Sequence, residues 1–183
     1  SWEPLEKLGE LKVYDRIAYE ESDLIPERIG DAQIVVINKT PISRKTIDRC
    51  PGIKAIAVLA TGYNVVDYEY AKEKGIPVLN VPVYGTDNVS QFAVGLLLEL
   101  CSHIGLHSQT VKNGEWADNA DWCYWKTPLV EVSGKTAGII GLGRIGVNTA
   151  RILNAMNVHV LAYDTFESEA GKQQAEYTSL DEL

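Results

Sequence analysis

Over the first eighty residues of this 183-residue chain, short β-branched and aliphatic runs alternate with stretches whose apolar positions recur at helical spacing. That alternation predicts βα units arranged around a parallel sheet, an α/β class. The strand candidates are residues 11–14, 34–37, 53–59 and 78–80. Between them residues 43–50 and 68–74 read as helices, the first stopped by Pro51-Gly52 and the second by Gly75. Asn88, with Gln91 three positions on as a capping-box partner, is the expected start of a long helix running to about His107. Val89, Phe92, Ala93, Leu96, Leu97, Leu100 and Ile104 put apolar groups on nearly every face of it, so burial between layers or between subunits is expected. Trp116, Trp122 and Trp125 fall within ten residues and read as an extended arm that packs or dimerises. The chain thus divides into a first lobe (1–87), a linking helix and arm (88–129) and a last unit (130–183).

The last unit carries the chemistry. Behind the strand-like Thr136-Ala137-Gly138-Ile139-Ile140, the residues Gly141, Gly143 and Gly146 form a G-x-G-x-x-G run, and a helix is expected from Ile145. A second apolar run, 158–163, ends at Asp164, 18 residues beyond Gly146. Strand, glycine turn, helix, strand and terminal acid together describe a Rossmann-type dinucleotide-binding unit. Gly141 turns the backbone off the strand, Gly143 lets the main chain approach a pyrophosphate, and Gly146 lets the helix pack on the sheet. The helix start, with Ile145 in its first turn, aims free N–H groups at the phosphates, and Arg144 beside it can add a charge-assisted bond. Asp164 is placed to accept both adenosine ribose hydroxyls and to repel a 2′-phosphate, and Thr165 follows with no arginine nearby. NAD is therefore expected rather than NADP.

Charge and composition narrow the partners. With 17 basic against 25 acidic residues the net charge is -8, and no Lys/Arg cluster suited to a nucleic acid backbone is present. Cys50, Cys101 and Cys123 are few and widely spaced, which predicts neither a disulfide framework nor a zinc site and fits a reducing, cytoplasmic setting. The longest apolar stretch, residues 92–98, has seven residues, against roughly 18 for a membrane span, so no membrane is expected.

Residues 60–67, Ala-Thr-Gly-Tyr-Asn-Val-Val-Asp, and residues 80–91, Asn-Val-Pro-Val-Tyr-Gly-Thr-Asp-Asn-Val-Ser-Gln, resemble the D-isomer-specific 2-hydroxyacid dehydrogenases. Trp122-Cys123-Tyr124-Trp125 ahead of Gly134-Lys135-Thr136 is similar to a stretch of the glycerate dehydrogenases, or hydroxypyruvate reductases, within that family. The resemblance implies a flavodoxin-like substrate lobe and a Rossmann NAD-binding lobe, with hydride passing between NADH and a small 2-keto acid in the cleft. It implies that the loop at Thr61 and Gly62 offers backbone N–H groups to the substrate carboxylate, and that Thr61 and Thr86 lie close to the cofactor. A homodimer is expected from the apolar helix and the tryptophan arm.

The family's arginine and its histidine–carboxylate pair normally lie downstream of the acid matched by Asp164, and none is matched in this sequence. No catalytic residue is therefore assigned here, and residues 1–183 alone are expected to be inactive. The chain opens in what reads as mid-helix and ends 19 residues after Asp164, with only two strands read after residue 130, so truncation is expected. His103 and His107, spaced i, i+4, read as helix-end or core residues rather than metal ligands, and no metal is expected. His159 is expected to point off its sheet face, and Lys39 reads as a solvated loop lysine in preference to one that attracts an anionic substrate. The alternative reading is an NAD-sensing binding module like the C-terminal-binding corepressors, which share the fold; the Trp122-to-Trp125 stretch argues against it.

Overall fold

The computed structural model describes residues 2–17, 20 and 22–183. Helices α1 (Glu3–Glu6) and α2 (Leu24–Ile29) precede β1 (Ile34–Ile37), α3 (Arg44–Arg49), β2 (Ala55–Val58), α4 (Tyr68–Glu73) and β3 (Val78–Leu79). Then come α5 (Thr86–Ser102), α6 (Ile104–Lys112), β4 (Thr136–Ile140), α7 (Arg144–Ala155), β5 (His159–Tyr163), α8 (Glu169–Lys172) and β6 (Glu176–Tyr177). The chain divides into two compact units between Tyr84 and Gly85, so α5 and the tryptophan segment belong with the glycine unit.

In the first unit the strands lie in the order β1-β2-β3, all parallel, with Ile34 opposite Ala55 and Ile56 opposite Val78. Alternate strand residues are buried, as a sheet with one covered face requires. Ile42, Ile56 and Val58 form the driest part of this core. The helices start where local chemistry allows: Ser43 accepts the amide of Thr46 at 3.3 Å, and Asp67 that of Tyr70 at 3.3 Å.

Residues 11–14, expected as a strand, form none. A strand needs a neighbour to satisfy its backbone groups, and none of the described strands lies alongside this segment. It is held through side chains instead: the Arg28 guanidinium donates to the Asp15 carbonyl at 2.9 Å and lies 5.3 Å from the centre of the Tyr14 ring.

The second unit has the parallel order β4-β5-β6, with Thr136 opposite His159 and Leu161 opposite Glu176. β6 was not expected from the sequence, because two residues are too short to show a period. Leu142, Ala150, Leu153, Val160 and Ala162 fill the core. His159 stands exposed on β5 and lies 3.5 Å from the Glu176 carboxylate on β6.

The long helix differs from expectation in three ways. It begins at Thr86 behind Gly85, so Asn88 sits inside its first turn rather than capping it. His103 adopts a left-handed conformation (φ 47°) and breaks the run, and α6 leaves α5 at 62°. The Glu99 carboxylate spans the break, accepting the Gly105 amide at 3.0 Å. Its buried side is also narrower than expected. Ser90 and Val94 are buried, with Leu97 and Leu98 partly so, whereas Phe92 is 66% and Leu100 72% exposed. One layer covers one stripe, and Val89, Phe92, Leu96 and Leu100 lie off it.

The tryptophan segment is folded back rather than extended. Tyr124 is its centre: its hydroxyl lies 2.7 Å from Thr110 Oγ1 on α6, and its ring meets Trp116 edge-on at 6.4 Å. Trp116 Nε1 donates to the Trp122 carbonyl at 3.1 Å, while Lys126 pairs with Glu115. Trp122 and Trp125 remain exposed. Among the described residues no single helix is long and apolar enough to cross a membrane.

Candidate functional site

The glycine turn is shaped by three different demands. Gly141 has φ +91°, in the left-handed region that disfavours a Cβ, and its amide donates to the Tyr163 carbonyl at 2.8 Å. At Gly143 the backbone is extended, and a Cβ there meets nothing within 4 Å, so the space in front of it is open to a ligand. At Gly146 a Cβ lies far inside contact distance of the Gly141 carbonyl oxygen, so only glycine lets α7 close on the turn. Gly143 stands at the N-cap of α7 and no side chain caps that end. The first amides of a twelve-residue helix therefore point out beside Arg144 and Ile145, an arrangement that favours anions.

Asp164 does more than its place in the motif suggested. Its Oδ2 accepts the Leu142 amide, from inside the glycine turn, at 2.6 Å, and Oδ1 accepts the Phe166 amide at 3.3 Å. The Leu142 bond foremost, and the Phe166 bond after it, hold the carboxyl below the usual carboxylate range. It is thus ionised throughout the neutral range, with lone pairs left for further donors. Leu142 itself is 2% exposed. It packs over Gly171, where a Cβ lies 2.8 Å from its methyl group and collides with the Tyr177 hydroxyl. Neither Leu142 nor Gly171 was singled out in the sequence, because their roles depend on a loop that returns across the turn.

Thr86 is the first residue of α5. Ser90, one turn on and fully buried, directs its hydroxyl to the Thr86 carbonyl at 2.7 Å and to the Ile145 carbonyl on α7 at 3.1 Å. Asn148 Nδ2 donates to Asp87 Oδ1 at 3.1 Å, and Arg151 donates to Asn148 Oδ1 at 2.7 Å. Thr86 is thereby tied to the glycine turn, together with Gly141, Gly143, Arg144, Ile145, Gly146 and Asp164. Polar residues on an otherwise apolar helix were the available signal for Ser90.

Thr61 and Gly62 lie in the first unit, past the carboxyl end of β2, where ligands collect in open parallel sheets. Thr61 Oγ1 donates to the Val81 carbonyl at 3.1 Å, and the Asn80 amide donates to the Thr61 carbonyl at 2.7 Å. These bonds fix the loop while leaving Gly62 exposed. His107 on the bent helix has structural partners: its Nδ1 faces the His103 carbonyl at 2.8 Å, and its Nε2 accepts the Lys126 amide at 3.2 Å. Those two contacts set the tautomer with the proton on Nδ1. Lys39 is exposed beyond β1. Among the described residues no three His, Cys, Asp or Glu side chains converge as a metal site needs.

Residues 1–176 match the D-isomer specific 2-hydroxyacid dehydrogenase catalytic domain. The chain belongs to this family. It is 52% identical over all 183 residues to the hydroxypyruvate reductase of Blautia hydrogenotrophica, covering 57% of that protein. It is 38% identical over 145 residues, 79% of the chain, to the glycerate dehydrogenase of Methylorubrum extorquens, of which it covers 46%. The fold is similar, at a TM-score of 0.77 and 25% identity, to D-lactate dehydrogenase of Aquifex aeolicus complexed with NAD and lactic acid, across 99% of this chain and 53% of that one. This family member spans about half the length of the curated relatives it matches.

Proposed function

We propose that this chain holds the NAD of a dehydrogenase that interconverts a small 2-keto acid, such as hydroxypyruvate or glyoxylate, and its D-2-hydroxy acid. The observation that carries the reading is the Gly141–Gly146 turn: open at Gly143, closed at Gly146 and facing an uncapped helix end. Phosphates sit on the amides that open α7, with Arg144 adding charge. The ionised Asp164 accepts the adenosine ribose hydroxyls and disfavours a 2′-phosphate. Bound there, the dinucleotide supplies or takes up the hydride. Thr86 lies beside the cofactor, and the loop at Thr61 and Gly62 receives the substrate carboxylate. No side chain of this chain is assigned the proton transfer.

NADH is expected to bind saturably in a fluorescence titration. A protein carrying these residues together with the acid–base pair is expected to oxidise NADH in the presence of hydroxypyruvate. Absence of NADH binding overturns the reading; binding without turnover of hydroxypyruvate or glyoxylate removes the dehydrogenase and leaves a dinucleotide-binding module.

The occupant of the exposed face of α5 is, in this reading, a second copy of the chain. Val89, Phe92, Leu96 and Leu100 form an exposed apolar row, and Trp122 and Trp125 add to the apolar surface of the same unit. Light scattering is expected to give twice the chain mass, and Leu100→Glu to return it to the monomer; a monomeric parent protein refutes the assignment.

A further inference from the structure

Three polar side chains are buried among the described residues: Thr46, Ser90 and Thr110. Ser90 joins two helices. A serine inside a helix commonly bonds back to the carbonyl four residues earlier, and its contact with Thr86 is of that kind. The second contact, 3.1 Å to the carbonyl of Ile145, crosses 55 positions of sequence to the first turn of α7. One hydroxyl proton is thus shared between the first residue of α5 and the helix end that faces the phosphates. Asn148, bonded to Asp87 one turn farther along α7, makes a parallel tie at the surface.

We infer that Ser90 is a positioning residue for the cofactor, acting through Thr86: it sets the first turn of α5 against the glycine turn, so that Thr86 meets the bound dinucleotide. It does not touch the cofactor itself, being fully buried. This inference rests on the proposed NAD site. ADP, which needs only the glycine turn and Asp164, does not depend on it, whereas NADH does.

The test is calorimetric titration of the protein and its variants with NADH and with ADP. In Ser90→Ala the Kd for NADH is expected to rise roughly 3- to 10-fold, the worth of one ordinary hydrogen bond, with the Kd for ADP unchanged. In a Thr86→Val background the same substitution is expected to add nothing, since the group it positions is gone. Parallel weakening of NADH and ADP, a full Ser90 effect in the Thr86→Val background, or no effect at all overturns the inference. A parent protein that binds neither ligand defeats the NAD reading itself. Should alanine unfold the chain, Ser90→Cys keeps the volume with a weak donor and is read in the same way.

Discussion

Gly146→Ala is expected to lower the melting temperature and to abolish measurable NADH binding, while Gly143→Ala keeps the parent melting temperature and still loses the cofactor. The two glycines differ in what surrounds them. At Gly146 a new methyl group collides with the backbone carbonyl of Gly141, and a carbonyl in a turn cannot rotate aside as a side chain can. Helix α7 must then shift off the sheet. Overpacking of this kind costs about 1–3 kcal/mol, which for a small unit is roughly 5–15 °C. The shift also moves the amides that open α7, so phosphate binding falls with the fold. At Gly143 a methyl group has open space and its extended backbone suits any residue, so the fold is untouched. The space it fills is the space proposed for the pyrophosphate, and NADH affinity is expected to fall about 100-fold on that account alone. Differential scanning fluorimetry beside NADH titration separates the two. A Gly143→Ala variant that binds NADH normally removes the phosphate cradle from this turn.

Asp164→Asn is expected to weaken NADH roughly 10- to 100-fold, the usual range for hydrogen bonds to a charged group, and to bring NADH and NADPH affinities together. The amide keeps an oxygen for the Leu142 amide but carries no charge to oppose a 2′-phosphate. Parallel titrations with the two dinucleotides at pH 7 measure it. A variant that retains the parent preference for NADH shows that discrimination lies elsewhere. The same substitution changes the acid limb of stability. Because the Leu142 and Phe166 amides depress the folded pKa of Asp164, its contribution is complete above the unfolded value of an aspartate and is lost as pH falls through the folded one. Melting temperatures between pH 6 and pH 3 are therefore expected to fall less steeply in the variant. The carboxylate is only partly buried, so solvent screening keeps that difference small.

How much of this was legible in the residues depended on how local each demand is. The glycine turn and Asp164 could be read directly, because each position answers a requirement of one residue and its immediate neighbours. The sheet of the first unit followed from apolar runs in the same way. Residues 11–14 show the opposite case: the run has strand composition, but pairing is a property of two segments and composition reports only one. The helix at Thr86 was offset because Asn88 is a good cap in isolation, while Gly85 is where the chain enters the second unit. The break falls on His103 rather than on Gly105 two positions on, and the Glu99 carboxylate spans it by accepting the Gly105 amide. Ser90, Leu142 and Gly171 act across long sequence separations; Ser90 shows only as a polar position on an apolar helix, and nothing in their neighbours marks Leu142 or Gly171.

Leu142 stands between two glycines, the residues that lose the most backbone freedom on folding, yet its own side chain is locked beneath Gly171 and Tyr177. With its amide held by Asp164 and the Gly141 amide held by Tyr163, the loop loses that freedom when the chain folds, before any ligand arrives. A dinucleotide held as proposed is expected to meet an ordered receptor and to spend little of its binding energy on ordering it. Affinity for the proposed cofactor is therefore expected to be sensitive to loop entropy as well as to contacts, and Leu142→Ala to weaken NADH in the same titration without touching it.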